Sequence, residues 1–310
     1  MSISGNFGNS VHDEGLHLAT SDAHIARILV ATDFSTRAAM ALKTAIAIGE
    51  IFDSEILLVH AVSPLVYAAG EGPIMPEIIE AALDSAKDEM KKLVASEQRL
   101  DGLRLKTIVT YSGAIDLIEQ IAGEQKVNLI VVGSHGASGL ERLLLGSVAE
   151  TILRKAACPV LIAGPHCHAE QYPLRSILFA TDLETTGLRA AQYASALSER
   201  VNGRLTLLHV MDKKLMIPTV QSEIIEKSRQ QQLRRLLPAD VDLFCTPKLR
   251  LEYGTPAQVI SAVAQSESAS LVVVGLHHRS ALADHSPWSV LSHVIREAKC
   301  GVLGVRSHLS

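Results

Sequence analysis

Four small residues, Gly133, Gly136, Gly146 and Ser147, lie in the segment VVGSHGASGLERLLLGSVAE, between an apolar run and a run with helical spacing. Glycines that follow a strand let backbone N–H groups approach a ligand without interference from a Cβ atom. The first N–H groups of a helix have no partner within the helix, and with the helix dipole they favour an anion, commonly a phosphate. The segment therefore predicts an anion site made of two separated contacts, one at the strand end and one at the helix start.

Polar residues that can complete such a site end two other apolar runs. The run ILVATDFS ends in Thr32, Asp33 and Ser35, and His60 with Ala61 lies near the end of ILLVHAV. Ligand sites of open α/β sheets lie beyond the carboxyl ends of the strands, so these residues are expected near the glycines. Asp33 could there bind ribose hydroxyls, a base or a metal carried by phosphates.

Each of these residues also has a purely structural interpretation. Gly133 and Gly136 would suit a tight turn between a strand and a helix. Ser147 and Asp33 would each suit the N-cap of the helix that follows. The spacing also differs from the common phosphate loops, since it matches neither G-x-x-x-x-G-K-[ST] nor G-x-G-x-x-G.

The chain contains two copies of one unit. Four segments of the first copy recur in the same order in the second. RILVATDFS returns as SILFATDLE and EILLVHAV as RLTLLHVM, each 149 positions later. NLIVVGSHG returns as SLVVVGLHH and CPVLIAG as CGVLGVR, each 142 positions later. Such repetition indicates one structural unit used twice. His60 and His209 occupy the same repeat position in apolar runs, where we expect hydrogen-bonded structural histidines rather than catalytic ones.

The apolar runs of each copy are short and rich in Val, Ile and Leu, with little alternation. This pattern is typical of strands that are buried on both faces of a parallel sheet. Helical spacing separates the runs, at residues 36–52, 76–98, 114–125 and 147–156 of the first copy. Alternating strands and helices predict an α/β fold with a doubly wound sheet and right-handed crossovers.

The composition fits a globular chain of two domains and excludes several classes. With 310 residues, 47% hydrophobic residues, 20% charged residues and a net charge of −4, it has no electrostatic footprint for nucleic acid. No apolar run reaches the roughly 18 residues of a membrane span. Four cysteines without C-x-x-C spacing indicate a reducing cytosol, so we expect a cytoplasmic protein. The expected organisation is a mobile tail at 1–24, domains at 25–165 and 175–310, and a linker at 166–174.

Taken together, the motifs resemble the universal stress protein family over nearly all of both copies. The resemblance rests on ATDFS, LLVHAV and LIVVGSHGASGLERLLLGSVAETILRKAACPVLI, which contains G-x-x-G, nine residues, then G-S. It implies two flavodoxin-like α/β domains, each with a five-stranded parallel sheet and helices on both faces. In the family the last strand pairs two units, so here the two copies would form a pseudo-twofold tandem within one chain.

The resemblance also implies an adenine-nucleotide site, for ATP, in the first copy. The residues that would contact it are Ala31, Thr32 and Asp33 at the adenosine, Ala61 at the adenine edge, Val132, Gly133 and Gly136 at the ribose and phosphates, and Gly146, Ser147 and Val148 at the phosphates. Mg²⁺ would then sit on the phosphate oxygens rather than in a cage of protein ligands.

The second copy lacks most of these glycines. Gly275 is the counterpart of Gly133, but His278 replaces Gly136 and Trp288 replaces Gly146. Side chains at these positions are expected to exclude phosphates, so the second copy should not bind ATP in the manner of the family.

Two interpretations of the second copy stay open. It is either a drifted copy kept for pairing, or a different site. Donors for a metal within the segment are His277, His278, Asp284, His285 and His293, although no spacing fixes a tetrahedral set. Trp288 and Arg279 would instead suit another anion or an aromatic group.

Three functional classes follow from these observations. The first is a nucleotide-binding regulatory protein of the stress response with unidentified protein partners, at most a weak ATPase through Asp33 and His135. The second is an ATP-consuming adenylyl-transfer enzyme, which would need a pyrophosphate-loop signature or a further substrate domain that the sequence lacks. The third is a ligand-free dimerisation scaffold, against which the intact G-x-x-G-x9-G-S pattern argues. Whether two chains form a further homodimer stays open.

Overall fold

The computed structural model describes residues 24–63, 76–135, 145–168, 173–184, 187–216, 220–276 and 287–306. Residues 1–23 of the predicted tail lie outside these ranges. So do Gly136 and the second-copy residues His277, His278, Arg279, Asp284 and His285. Predictions that rest on these residues therefore remain predictions.

The first half alternates strands with helices, as the sequence predicts. Its strands are β1 (Arg27–Ala31), β2 (Glu55–Val62), β3 (Arg104–Tyr111), β4 (Leu129–Gly133) and β5 (Val160–Ala163). Its helices are α1 (Thr36–Phe52), α2 (Pro76–Ser96), α3 (Ala114–Glu124) and α4 (Ser147–Lys155). All four predicted helices are present with the predicted first residues, and three of them end one or two residues early.

The second half repeats this order. Its strands are β6 (Ser176–Ala180), β7 (Arg204–Met211), β8 (Lys248–Tyr253), β9 (Leu271–Leu276) and β10 (Gly301–Arg306). Its helices are α5 (Gly187–Arg200), α6 (Val220–Arg235), α7 (Pro256–Ser266) and α8 (Pro287–Glu297). None of the helices in the described ranges combines the length and the apolar character that crossing a bilayer requires.

The repetition extends to single backbone angles. The non-glycine residues with positive φ in the described ranges form three pairs: Phe34 with Leu183, Asp53 with Asn202, and Lys126 with Ser268. The members of each pair are separated by the same 149 or 142 positions as the repeated strands. Since side chains rarely adopt this left-handed conformation, its recurrence shows that the two halves share their turns as well as their strands.

All ten strands form one sheet, in the order β3-β2-β1-β4-β5-β10-β9-β6-β7-β8. Neighbouring strands are parallel except at the centre, where β5 and β10 are antiparallel, with Ile162 opposite Val302 and Leu161 opposite Leu303. The predicted parallel sheets and their pairing through the last strands are thereby confirmed. Because the strand direction reverses at this junction, the strands of the two halves run in opposite directions. The carboxyl ends of the strands in one half lie beside the amino ends of the strands in the other.

Each face of the sheet carries a hydrophobic cluster that runs through both halves. Successive strand residues point to opposite faces, so Ile28 and Val30 belong to one cluster and Leu29 to the other. Helices α1, α2, α5 and α6 cover the first face, and α3, α4, α7 and α8 cover the second. The helices that follow the first and fourth strands of a half therefore lie on opposite faces.

The end of each central strand contacts the last helix of the opposite half. A Cβ atom at Gly164, which follows β5, would lie 2.2 Å from the carbonyl oxygen of Ile295 in α8. The counterpart of Gly164 is Arg306, whose guanidinium donates to the carbonyl oxygen of Leu153 at 2.9 Å and also to that of Arg154. Arg306 thus caps the carboxyl end of α4, where a cation also interacts favourably with the helix dipole.

The close approach at Gly164 predicts that Gly164→Ala destabilises the protein. Because the obstacle is backbone, the strand and α8 must separate, at a cost of about 1–3 kcal/mol in the free energy of unfolding. The midpoint of urea unfolding should fall accordingly. The matched control is Gly123→Ala, at an exposed position of α3 where an added Cβ meets no atom within 4 Å. Gly123→Ala should raise the free energy of unfolding by up to about 1 kcal/mol, and the midpoint with it. Equal midpoints for the two variants would contradict the prediction.

Candidate functional site

A cavity of about 200 Å³ opens at the carboxyl ends of β1, β2 and β4. The strand order reverses between β1 and β4, and the cavity lies at this reversal. Open α/β sheets bind their ligands at this position. Its lining residues are Ala31, Thr32, Asp33, Ala38, Val59, His60, Ala61, Ala114, Leu117, Ile118, Val132, Gly133, His135, Gly146, Ser147, Val148 and Ala149. We call it the first cavity.

Nine of the ten residues predicted to contact a nucleotide line the first cavity. The tenth, Gly136, lies outside the described residues. The motif did not reveal Ala114, Leu117 and Ile118, which α3 contributes. Their helical spacing shows that they face the sheet, but not that they border a cavity, because that depends on where α3 crosses the strands.

A compact turn follows β1 and leads into α1. The Phe34 N–H donates to Thr32 Oγ1 at 3.0 Å, and the Ser35 N–H donates to Asp33 Oδ1 at 3.1 Å. Ser35 is the N-cap of α1, since its Oγ accepts from the Ala38 N–H at 3.2 Å. The alternative interpretation of Asp33 as this N-cap is therefore wrong, because its carboxylate holds the preceding turn instead.

His60 fixes the same turn from the neighbouring strand. Its Nδ1 lies 2.8 Å from the Thr32 carbonyl oxygen, and its ring centroid lies 4.4 Å from that of Phe34. A carbonyl oxygen can only accept, so Nδ1 carries the proton. In the second half, His209 Nδ1 lies 3.0 Å from the Thr181 carbonyl oxygen in the same way. Both histidines are thus hydrogen-bonded to the turn, as the sequence predicts.

Both described glycines of the motif allow close contact between backbone segments. A Cβ atom at Gly133 would lie 3.0 Å from the carbonyl carbon of Arg37 and 3.2 Å from the nitrogen of Ala38. One at Gly146 would lie 3.1 Å from the Ser134 carbonyl oxygen, to which the Gly146 N–H donates at 2.7 Å. These glycines bring β4 against the start of α1, and the start of α4 against the end of β4.

The amino end of α4 opens into the first cavity. Gly146 is its N-cap, with extended backbone angles and no side-chain cap. The first turn of hydrogen bonds begins with the Glu150 N–H, which donates to the Gly146 carbonyl oxygen at 2.9 Å. The N–H groups of Ser147, Val148 and Ala149 precede this bond and belong to residues that line the cavity. Ser147 is the first helical residue, so its interpretation as the N-cap is wrong.

The first cavity therefore combines two chemically different walls. Val132, Leu117 and Ile118 are buried apolar residues that line one part. The amino end of α4 offers backbone donors to an anion. Asp33 adds a carboxylate. Within the described ranges, no group of three or more His, Cys, Asp or Glu residues is arranged to hold a metal ion.

The fold defines a doubly wound α/β protein with a cavity at the reversal of strand order, where proteins of this class bind their ligands. The profile of the universal stress protein family matches residues 24–164 and 173–306. The chain belongs to this family and carries its domain twice, in tandem.

Similar proteins agree with this assignment. A universal stress protein of Mycolicibacterium smegmatis is 26% identical over 287 residues, which cover 90% of this chain and 96% of that protein. One from Methanocaldococcus jannaschii is 36% identical over 138 residues, 44% of this chain and 80% of that protein. The crystal structure of a universal stress protein from Archaeoglobus fulgidus has the same fold, with a TM-score of 0.64 and 18% identity over 92% of this chain and 99% of its own.

Burial of His209 predicts a pH dependence of stability. Burial lowers its pKa below the ordinary value, and Arg229 acts in the same direction, whereas the Thr181 hydrogen bond and Asp182 act against them. Between the folded pKa and the unfolded value of about 6.5, the unfolded chain binds more protons. The contribution of this pKa difference to the free energy of unfolding is therefore fully present above about pH 6.5. It is lost progressively as the pH falls below that value.

The variant His209→Asn isolates this contribution. An asparagine amide can still donate a hydrogen bond but does not titrate in this range. Urea unfolding between about pH 5 and 8 should therefore show a smaller pH dependence for the variant than for the wild type. A constant difference in unfolding free energy between the two proteins across this range would contradict the prediction.

Proposed function

We propose that this protein is a nucleotide-binding regulatory protein that holds one ATP in the first cavity. One observation carries the proposal. The amino end of α4, whose N-cap Gly146 has no side chain to cap it, borders the same cavity as the Thr32–Asp33 turn and a buried apolar wall. A nucleotide needs these three surfaces together, since it joins an apolar base, a hydroxyl-bearing sugar and an anion. Membership of the universal stress protein family supports the same proposal.

In this proposal, each part of ATP meets a matching surface. The adenine lies against Val132 and is read by the backbone of Ala61, while Ala31 and Thr32 flank the adenosine. The Asp33 carboxylate accepts hydrogen bonds from ribose hydroxyls. The phosphates take the amide donors of α4, with Gly133, Gly136, Gly146, Ser147 and Val148 around them. Mg²⁺ would be held by phosphate oxygens and water, as is usual for this ion.

We propose a binding role rather than an enzymatic one. The described lining of the first cavity contains no Lys or Arg that would stabilise charge on a transferred phosphoryl group. ATP would act by stabilising one conformation of the tandem and so changing what its surface binds. Helix α4 offers a route, because its amino end borders the cavity and its carboxyl end is capped by Arg306 of the other half.

The test is the stoichiometry and affinity of ATP binding. Nucleotide released from the denatured purified chain is identified by mass spectrometry, and MgATP is titrated calorimetrically. We expect one ATP per chain. Ala149→Leu copies Leu291, the residue at the same repeat position, and adds bulk to the lining of the first cavity. It should weaken binding by at least about tenfold, or 1.4 kcal/mol.

The control is Ala81→Leu, the same exchange at an exposed position of α2. Its affinity for ATP should equal that of the wild type. Two ATP molecules per chain would contradict the assignment to the first half alone. No bound nucleotide and no heat on titration would overturn the proposal and favour the dimerisation scaffold.

A further inference from the structure

The second half contains its own cavity at the position of the first. It has a volume of about 230 Å³ and opens at the carboxyl ends of β6, β7 and β9. Its lining residues are Ala180, Thr181, Asp182, Gly187, Leu208, His209, Val210, Pro256, Ile260, Val274, Gly275, Leu276, Val290 and Leu291. We call it the second cavity. Although the second copy has lost most of its motif glycines, its described residues still line a cavity of similar volume.

The turn after the first strand is preserved in the second cavity. The Leu183 N–H donates to Thr181 Oγ1 at 3.0 Å, and the Glu184 N–H donates to Asp182 Oδ1 at 3.0 Å. Leu183 has a φ of 67°, close to the 62° of its counterpart Phe34. The carboxylate of Asp182 is therefore presented by the same backbone as the carboxylate of Asp33.

The amide donors at the helix start are only partly preserved. At the repeat spacing of 142, Ser147 corresponds to Ser289, yet α8 already begins at Pro287, two residues before that position. The earlier start places Leu291, the counterpart of Ala149, a full turn inside the helix. A residue this far from the helix start uses its N–H in the intrahelical ladder. The second cavity thus lacks part of the row of donors that α4 offers to phosphates.

Apolar side chains occupy the corresponding end of the second cavity. Leu276 replaces the buried Ser134, and Leu291 replaces Ala149. Both leucines are at least 96% buried and line the cavity. Placing a phosphate against these two leucines would remove its charge from water, and neither side chain can donate a hydrogen bond to replace the lost hydration.

The remaining polar groups suit an uncharged ligand that carries hydroxyl groups. His209 donates from Nδ1 to the Thr181 carbonyl, so Nε2 of its neutral ring is an acceptor. The carboxylate of Asp182 also accepts hydrogen bonds. Among the described lining residues there is no Lys or Arg to attract an anion.

We propose that the second cavity binds an uncharged nucleoside, whose sugar hydroxyls meet Asp182 and whose base lies against the apolar wall. This inference rests on the proposed function, in which the first cavity binds ATP. The second cavity would bind only the nucleoside part of that ligand, the base and the sugar. The tandem would then bind a nucleotide in one half and a nucleoside in the other. It would respond to the ratio of adenosine to ATP concentration, which rises as adenine nucleotides are dephosphorylated.

The test uses the full chain and adenosine as the probe. With the first cavity saturated by MgATP, calorimetric titration should show one adenosine per chain. AMP should bind at least about tenfold more weakly, since its phosphate must lie against Leu276 and Leu291 with fewer amide donors than α4 offers. Failure of adenosine to bind the ATP-saturated chain, or AMP binding as tightly as adenosine, would overturn the proposal.

Matched variants assign the site. Val290 and Val148 occupy the same repeat position and line the second and first cavities, respectively. Val290→Trp should weaken adenosine binding at least about tenfold and leave ATP binding in place, and Val148→Trp should do the reverse. Loss of this adenosine binding in Val148→Trp alone would place adenosine in the first cavity and overturn the proposal.

Methyl NMR of the wild-type chain provides a test that does not depend on the folding of a variant. Adenosine added to the ATP-saturated chain should shift the methyl resonances of Leu276 and Leu291, and leave those of Val148 and Leu117 unchanged. Shifts confined to the latter pair would contradict the assignment. If the chain does not bind ATP at all, the same resonances are followed without ATP, so failure of the proposed function remains distinguishable from failure of this inference.

Discussion

The antiparallel pairing of β5 with β10 is the interaction on which the rest of the structure depends. Each half ends on a strand whose outer edge would otherwise present unpaired N–H and C=O groups, and each edge satisfies the other. The pairing joins two five-stranded sheets into one and lets both hydrophobic clusters continue across the junction. It also reverses the strand direction, which separates the two cavities to opposite ends of the sheet.

The junction is asymmetric in a way that the repeated backbone is not. Gly164 brings β5 against the backbone of Ile295, whereas its counterpart Arg306 reaches the carboxyl end of α4 with a charged side chain. Only α4 therefore has a cap contributed by the other half at this position. Because the amino end of this helix borders the first cavity, α4 connects that cavity with the junction between the halves.

The two cavities show how one backbone is adapted to different chemistry. The turn after the first strand and its histidine are the same in both halves. The distance from Nδ1 to the carbonyl oxygen of the turn is 2.8 Å for His60 and 3.0 Å for His209. The start of the last helix differs by two residues relative to the repeat, and this shift decides how many amide donors remain available. The described linings of the two cavities therefore differ most at the start of the last helix.

The sequence by itself determined the strands, the helices and the duplication, because buried parallel strands and amphipathic helices carry local patterns that repeat. The resemblance to the universal stress protein family implied ten contact residues, and nine of them line the first cavity. The tertiary structure alone decided why Gly133 is a glycine, namely the backbone of Arg37 beside it, and that Ser35 rather than Asp33 caps α1. It also shows that the described residues of the second half line a cavity, with Leu276 and Leu291 in its wall. These features depend on contacts between segments far apart in the chain, and no local pattern of residues specifies such distances.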